Sequence, residues 1–186
     1  MILRSLLLPL ALFLSVACAA PGATPIEKRT SIERMAEETL RELYQLDPGA
    51  RKQVQESEGY AVFNNKQVSV FLVGGGGGYG VARDQKKRET TYMRMGEGAV
   101  GIGLGIKDFR AVFIFHDRAK LDDFLTNGWD MGAEADAAAK SGEDGGAAGG
   151  ATSFRDGVSV YQFTETGLAL RANLAGTRYW PYAELN

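Results

Sequence analysis

The chain encodes an α+β domain: a strongly curved, mainly antiparallel β-sheet or barrel-like core, with two N-terminal helices and one helix in the middle of the chain. Three observations lead there. Residues 73–106 combine a five-glycine run with a stretch in which Gly101, Gly103 and Gly105 alternate with Val100, Ile102, Leu104 and Ile106. Residues 32–46 repeat apolar side chains at helical steps, and residues 109–115 and 158–164 are dense in β-branched and aromatic residues.

The glycine alternation is the most informative. Neighbouring side chains on a strand point to opposite faces, so one face here is aliphatic and the other almost bare. Glycine inside a strand costs entropy and marks sharp curvature or close approach of another group. Gly101, Gly103 and Gly105 are therefore a candidate open sheet face.

The first helix is expected to begin near Thr30, where Thr30 and Glu33 have capping-box spacing. Ile32, Met35, Ala36, Leu40, Leu43 and Leu46 form its apolar stripe, and the mixed charges on its other face favour packing on the domain's own core. Asp47-Pro48 starts a second helix carrying Ala50 and Val54, with Gly59 as its stop. Asp117 caps a third, with Ala119, Leu121, Phe124 and Leu125 inward and Gly128 beyond its end.

Between the helices the period is that of strands. Tyr60–Phe63 and Val68–Val73 form a hairpin turning at Asn64-Asn65. Gly80–Arg83 and Thr90–Met95 form another, closed by the charged residues Asp84–Glu89. Lys107-Asp108 turns the chain into the buried strand Phe109–Phe115. Ala133–Lys140 suits a helix or a strand of small residues, and Ser141–Ala151 has the composition of a loop. Val158–Thr164 and Leu168–Leu174 make the last two strands, and the aromatic cluster Tyr179–Tyr182 packs over the core.

Of 186 residues, 24 are glycine, nearly twice the usual share of about 7%. With 21 basic and 23 acidic side chains, bulk charge argues against general nucleic-acid binding. The single cysteine, Cys18, allows neither an intrachain disulfide nor a zinc framework. Residues 1–17 carry Arg4 and then an apolar run from Leu6 to Val16, the pattern of a signal peptide and too short to span a bilayer. Cys18 stands where that leader would end, as does the acylated first residue of bacterial lipoproteins. An ordinary cut after Ala19 also fits. The expected organisation is a leader over 1–17, a lipid-anchored tether over 18–29 and one domain over 30–186. It would be exported and held at the outer membrane facing the periplasm, or free in the periplasm or medium.

No catalytic, metal or cofactor constellation emerges. Gly75-x-Gly77-x-x-Gly80 and Gly96-x-Gly98-x-x-Gly101 spell the dinucleotide fingerprint, yet neither is followed by the helix whose amino end would face a pyrophosphate. His116 is the only histidine, and it reads as a strand-end residue. The densest basic cluster, Arg83, Lys86, Lys87 and Arg88, is either a solvated hairpin tip or a contact for lipid head groups. Each cation near an anionic surface is worth about 1 kcal/mol.

Gly59-Tyr60-Ala-Val-Phe63, Gly74–Gly80 with Val81, and Gly98-x-x-Gly101-x-Gly103 follow one another in a characteristic order. So do Phe109–Phe115 with Leu121–Phe124, Gly132-Ala-Glu-Ala, and Tyr161 with Gly167-Leu168. This succession, over about residues 30–185, resembles the SYLF domain. The resemblance implies a non-enzymatic domain that binds lipid or a membrane surface, its bacterial members being secreted or lipid-anchored. It implies no cofactor. Asn64 stands where family members often carry Pro, and Arg171 and Ala172 interrupt the usual Gly-Leu-x-x-Gly ending. The competing expectation is a structural lipoprotein that docks an envelope partner on its glycine face.

Overall fold

The computed structural model describes residues 20–70, 73–100, 105–130, 152–155, 157–164, 167–168 and 176–186. The leader, Cys18, Gly101, Gly103, the stretch 131–151 and the expected strand beyond Leu168 lie outside the described residues.

Among the described residues, two helices come first. Helix α1 (Pro25–Leu46) starts earlier than the Thr30 spacing implied. Thr24 is its cap: the Thr24 hydroxyl accepts from Glu27 N–H, and the Glu27 carboxylate accepts in return from Ala23 and Thr24 N–H at 2.8 and 3.0 Å. Pro25 fits the first helical position, where no amide hydrogen is needed. Thr30 lies inside the helix and donates its hydroxyl to Ile26 O. Helix α2 (Pro48–Glu56) is capped by Asp47 as its sequence foretold, and ends at Ser57, two residues before Gly59.

Among the described residues, nine strands form one sheet. They are β1 (Gly59–Val70), β2 (Val73–Asp84), β3 (Glu89–Val100), β4 (Gly105–Phe115), β5 (Trp129–Asp130), β6 (Thr152–Arg155), β7 (Val158–Thr164), β8 (Gly167–Leu168) and β9 (Thr177–Pro181). Helix α3 (Arg118–Asn127), capped by Asp117, separates β4 from β5. The order across the sheet is β5-β9-β3-β2-β1-β4-β7-β6, with β8 beside β7. Pairing is antiparallel throughout. Three consecutive strands followed by a fourth that returns beside the first is a Greek key.

Two expected turns are strand instead. Asn64 and Asn65 sit within β1, paired with Tyr79 and Gly78 on one side and with Arg110 and Phe109 on the other. Lys107 and Asp108 sit within β4 opposite Gln67 and Lys66. Asn-Asn and Lys-Asp favour turns locally, but in the centre of the sheet both neighbours supply ladder partners, and those hydrogen bonds outweigh propensity.

The sheet curls into a half-barrel. In a flat sheet β9 and β1, three strands apart, would stand about 14 Å from each other. Yet the Tyr179 and Phe63 rings meet with centroids at 4.7 Å, and Trp129 of β5 reaches Phe115 of β4 at 5.4 Å. The concave side holds these rings with Phe113, Phe124, Met93 and Met95. The other side is covered by α1 and α2, where Ile32, Ala36, Leu43, Ala50 and Val54 pack on Val62, Val81, Val112, Ile114 and Phe163. Curvature this tight needs glycine. A Cβ on Gly78 would lie 1.9 Å from Asn64 O, and one on Gly80 would lie 2.3 Å from Val62 O.

Candidate functional site

The two ends of the half-barrel differ in chemistry. One end carries the β2–β3 turn, and its cations are not free-standing. Asp84, with its side chain only 1% exposed, accepts from the backbone N–H of Lys86 and Lys87 at 3.0 and 2.9 Å and pairs with Arg118 at 2.6 Å. Arg118 also pairs with Asp122, and the Lys87 ammonium lies 3.5 Å from Asp122. Hydrogen bonding from Arg118 holds the Asp84 carboxyl down to about 2. The same guanidinium lowers Asp122, and the two acids raise Arg118 in turn. Gln85 fastens the turn to α2, donating its side-chain amide to Val54 O and Ser57 Oγ.

Arg83 points elsewhere, pairing with Glu33 of α1 and donating to Thr90. Lys86 lies 4.0 Å from Glu58. Arg88 has no ion pair within the described residues and occupies a left-handed conformation, φ 58°. A cavity of about 280 Å³ opens beside it, lined by Tyr60, Arg83, Asp84, Gln85, Arg88 and Glu89. The structure thus brings Arg83, Lys86, Lys87 and Arg88 to one end, but interleaves them with Glu33, Glu58, Asp84, Glu89 and Asp122. What reads as a basic run in one dimension is a mixed-charge lattice in three.

At the opposite end the described tips of β1, β2, β3 and β4 carry no charged residue. Val70 pairs with Val73 where β1 meets β2, Val73 pairs with Val100, and Ser69 pairs with Gly105. Residues 68–80 and 98–106 contain no Asp, Glu, Lys or Arg, and the register brings the described residues of both stretches to this end. Of the candidate open face, Gly105 opens β4 here. Over Gly78 and Gly80 the concave side is occupied instead: Phe63 and Tyr179 close above β2, and Asn65 Nδ2 donates to Glu97 Oε2 at 2.5 Å across it.

His116 follows β4 and is exposed, with Nε2 3.0 Å from Ser159 Oγ. Asp117 is engaged as the α3 cap, its carboxylate accepting from Lys120 N–H, and does not orient the imidazole. Among the described residues no three His, Cys, Asp or Glu side chains gather as a metal site. Among them, too, no helix is long and apolar enough to cross a membrane.

Two features of this site were not visible in the sequence. The Asp84–Arg118 pair joins a turn to a helix far along the chain, and its only local trace is the Arg118/Asp122 spacing of four. Strand β9, hidden in what reads as an aromatic cluster, supplies Tyr179.

The fold and its two ends define a nine-stranded Greek-key half-barrel with helices on its convex face and a chemically polarised strand axis. No family model matches the chain. It is similar to beta cell expansion factor A of Aeromonas veronii, with 34% identity over 157 residues. That alignment covers 84% of this chain and 58% of the relative, so the chain spans less than two thirds of that protein's length.

Proposed function

We propose that this chain is a non-enzymatic lipid- or membrane-binding domain of the bacterial envelope that meets the bilayer through the uncharged end of its half-barrel. In this reading it is a SYLF domain, anchored at the outer membrane by acylation of Cys18 and facing the periplasm. One observation carries it: two separate stretches without a charge, 68–80 and 98–106, are brought together at one end, while the acids and bases of the β2–β3 turn collect at the other. Each valine- or leucine-sized side chain moved from water into lipid is worth roughly 1.5–3 kcal/mol. A few of them suffice for reversible membrane binding. The relative's name describes an effect on beta cells and no chemistry, so the reading stands on the geometry.

Co-sedimentation with phosphatidylcholine vesicles tests it. The chain should pellet with neutral vesicles and stay bound at high salt. The double change Val70→Asp with Val100→Asp should lower the bound fraction at least tenfold, and Lys86→Glu with Lys87→Glu should leave it unchanged. Binding that needs anionic lipid and vanishes with salt or with the lysine changes would move the contact to the charged turn and overturn the proposal. Failure to pellet at all would favour a protein partner on the glycine-rich strands.

A further inference from the structure

The convex side carries a row of side chains whose β3 and β9 members the helices leave uncovered. Val62, Val81 and Tyr92 stand in register on that side. Helix α1 reaches them: Arg29 stacks over the Tyr92 ring at 5.5 Å and Glu33 accepts from its hydroxyl. The next row on the same side, two residues along each strand, is Asn64, Tyr79, Arg94 and Trp180.

Trp180 is 36% exposed, whereas Trp129 is 4% exposed and packed among phenylalanines. The Trp180 ring rests on Gly96, where a Cβ would stand 3.1 and 3.4 Å from Cη2 and Cζ3. Glycine at this position lets the indole settle against the strand and turn its other side to water. Among the described residues the indole N–H has no acceptor. Arg94, directly opposite Trp180 in the ladder, is held with its guanidinium 4.8 Å from the centre of the Tyr182 ring. It makes no ion pair or side-chain hydrogen bond among the described residues. Arg178 beside it, by contrast, is neutralised by Asp130. Arg94 is thus a fixed fork of unengaged N–H donors. Tyr79 completes the row; its hydroxyl accepts from Asn64 Nδ2 at 3.4 Å and keeps its own proton to give. Trp180 and Tyr79 flank Arg94 at a separation of about 10 Å, two strand spacings and the length of a disaccharide.

These groups set the chemistry of the occupant. It must offer C–H groups to an aromatic face, oxygen atoms to the indole N–H and the Tyr79 hydroxyl, and an oxyanion to Arg94. A sugar ring has a C–H face and a rim of oxygens, and a uronic acid adds the carboxylate. A peptide would take an unpaired strand edge, but β2 and β3 are paired on both sides. A bilayer would meet Arg94 and Arg178 in the middle of its apolar contact.

We infer that Trp180, Arg94 and Tyr79 form a binding site for an acidic glycan, with a sugar ring stacked on Trp180 and a uronate carboxylate held by Arg94. The site lies on a different face from the membrane contact proposed above and stands without it.

The probes are mannuronate and galacturonate tetramers at pH 7, with cellotetraose as the uncharged sugar and citrate as the carboxylate without a sugar ring. Calorimetric titration of the full chain should show saturable binding of at least one acidic tetramer, weaker binding of cellotetraose and none of citrate. Acrylamide quenching of tryptophan fluorescence, which reaches Trp180 and not the buried Trp129, should fall as the tetramer binds. Trp180→Ala should weaken the tetramer about tenfold and shift Tm little, since the ring lies at the surface. Arg94→Gln should remove the preference for acidic over neutral tetramer. Gly96→Ala, which lifts the indole from its strand, should weaken binding while the protein stays folded. No binding of either acidic tetramer, equal binding of citrate, or undiminished binding by Trp180→Ala would overturn the inference. So would a Trp180→Ala variant that loses vesicle co-sedimentation without affecting sugar, for that would assign the ring to the membrane contact.

Discussion

Asp84 is the residue on which the charged end depends. Its carboxylate is nearly inaccessible and accepts two backbone N–H bonds as well as the Arg118 pair. Its pKa is about 2 in the folded protein, below the ordinary carboxylate value near 3.9. A lowered folded pKa stabilises the native state at pH values above the unfolded value, and that contribution disappears as pH falls from about 4 towards 2. The difference corresponds to about 2 kcal/mol. Asp84→Asn should therefore lose stability at pH 7 in urea titration and show a shallower acid decline than the parent. Asp84→Ala, which strands Arg118 beside Asp122 without its buried partner, should cost about 3 kcal/mol. Parallel acid declines in Asp84→Asn and the parent would show that the carboxylate does not set the acid limit.

Among the elements, β2 departs furthest from ordinary strand composition and still runs for 12 residues. Its glycines are needed where β1 crosses close beneath them. Gly78→Ala would place a methyl 1.9 Å from Asn64 O, a contact no rotamer relieves, because both partners are backbone. The ladder would have to open, at a cost of roughly 2–3 kcal/mol. Gly96 on β3 is a useful contrast. A methyl there meets only the Trp180 ring at 3.1 Å, and Trp180 lies at the surface where it can move. Gly96→Ala should stay within about 1 kcal/mol of the parent. Chemical denaturation of the two variants checks the ranking, and equal losses would mean that curvature does not depend on the β1–β2 approach. Helix α3 is fixed by different means: Phe124 stacks among Phe63, Phe113, Phe115 and Trp129, and Arg118 ties its first turn to β2.

At the scale of the molecule, the Greek key makes most of the sheet depend on distant pairings. The hairpins β1–β2 and β2–β3 are local, whereas β4 must find β1, and β9 must return from the end of the chain to β3. Sheets built on such pairings fold in milliseconds to seconds, against microseconds for helical bundles. Stopped-flow fluorescence after dilution from urea should show that slow range, and complete recovery within microseconds would contradict the topology. The same pairings polarise the molecule. Because β2 and β3 run antiparallel, their apolar halves coincide at one end and their charged halves at the other.

Much was legible along the chain wherever the decisive interactions are short in range. Asp47-Pro48, Asp117 with Gly128, and the Asp84–Glu89 turn all appear where local capping and turn chemistry put them. The bent sheet follows from glycine, whose missing Cβ removes a clash regardless of partner. Asn64-Asn65 and Lys107-Asp108 misled because a turn preference of a few tenths of a kcal/mol cannot compete with two flanking strands that complete their hydrogen bonds. The pairing of Asp84 with Arg118, the hydrogen bond from Asn65 to Glu97 across the glycines of β2, and the charge-free tips of β1 to β4 became visible with the fold. Each joins residues far apart in the chain, and a one-dimensional pattern carries no distance between such residues until the strands have taken their order.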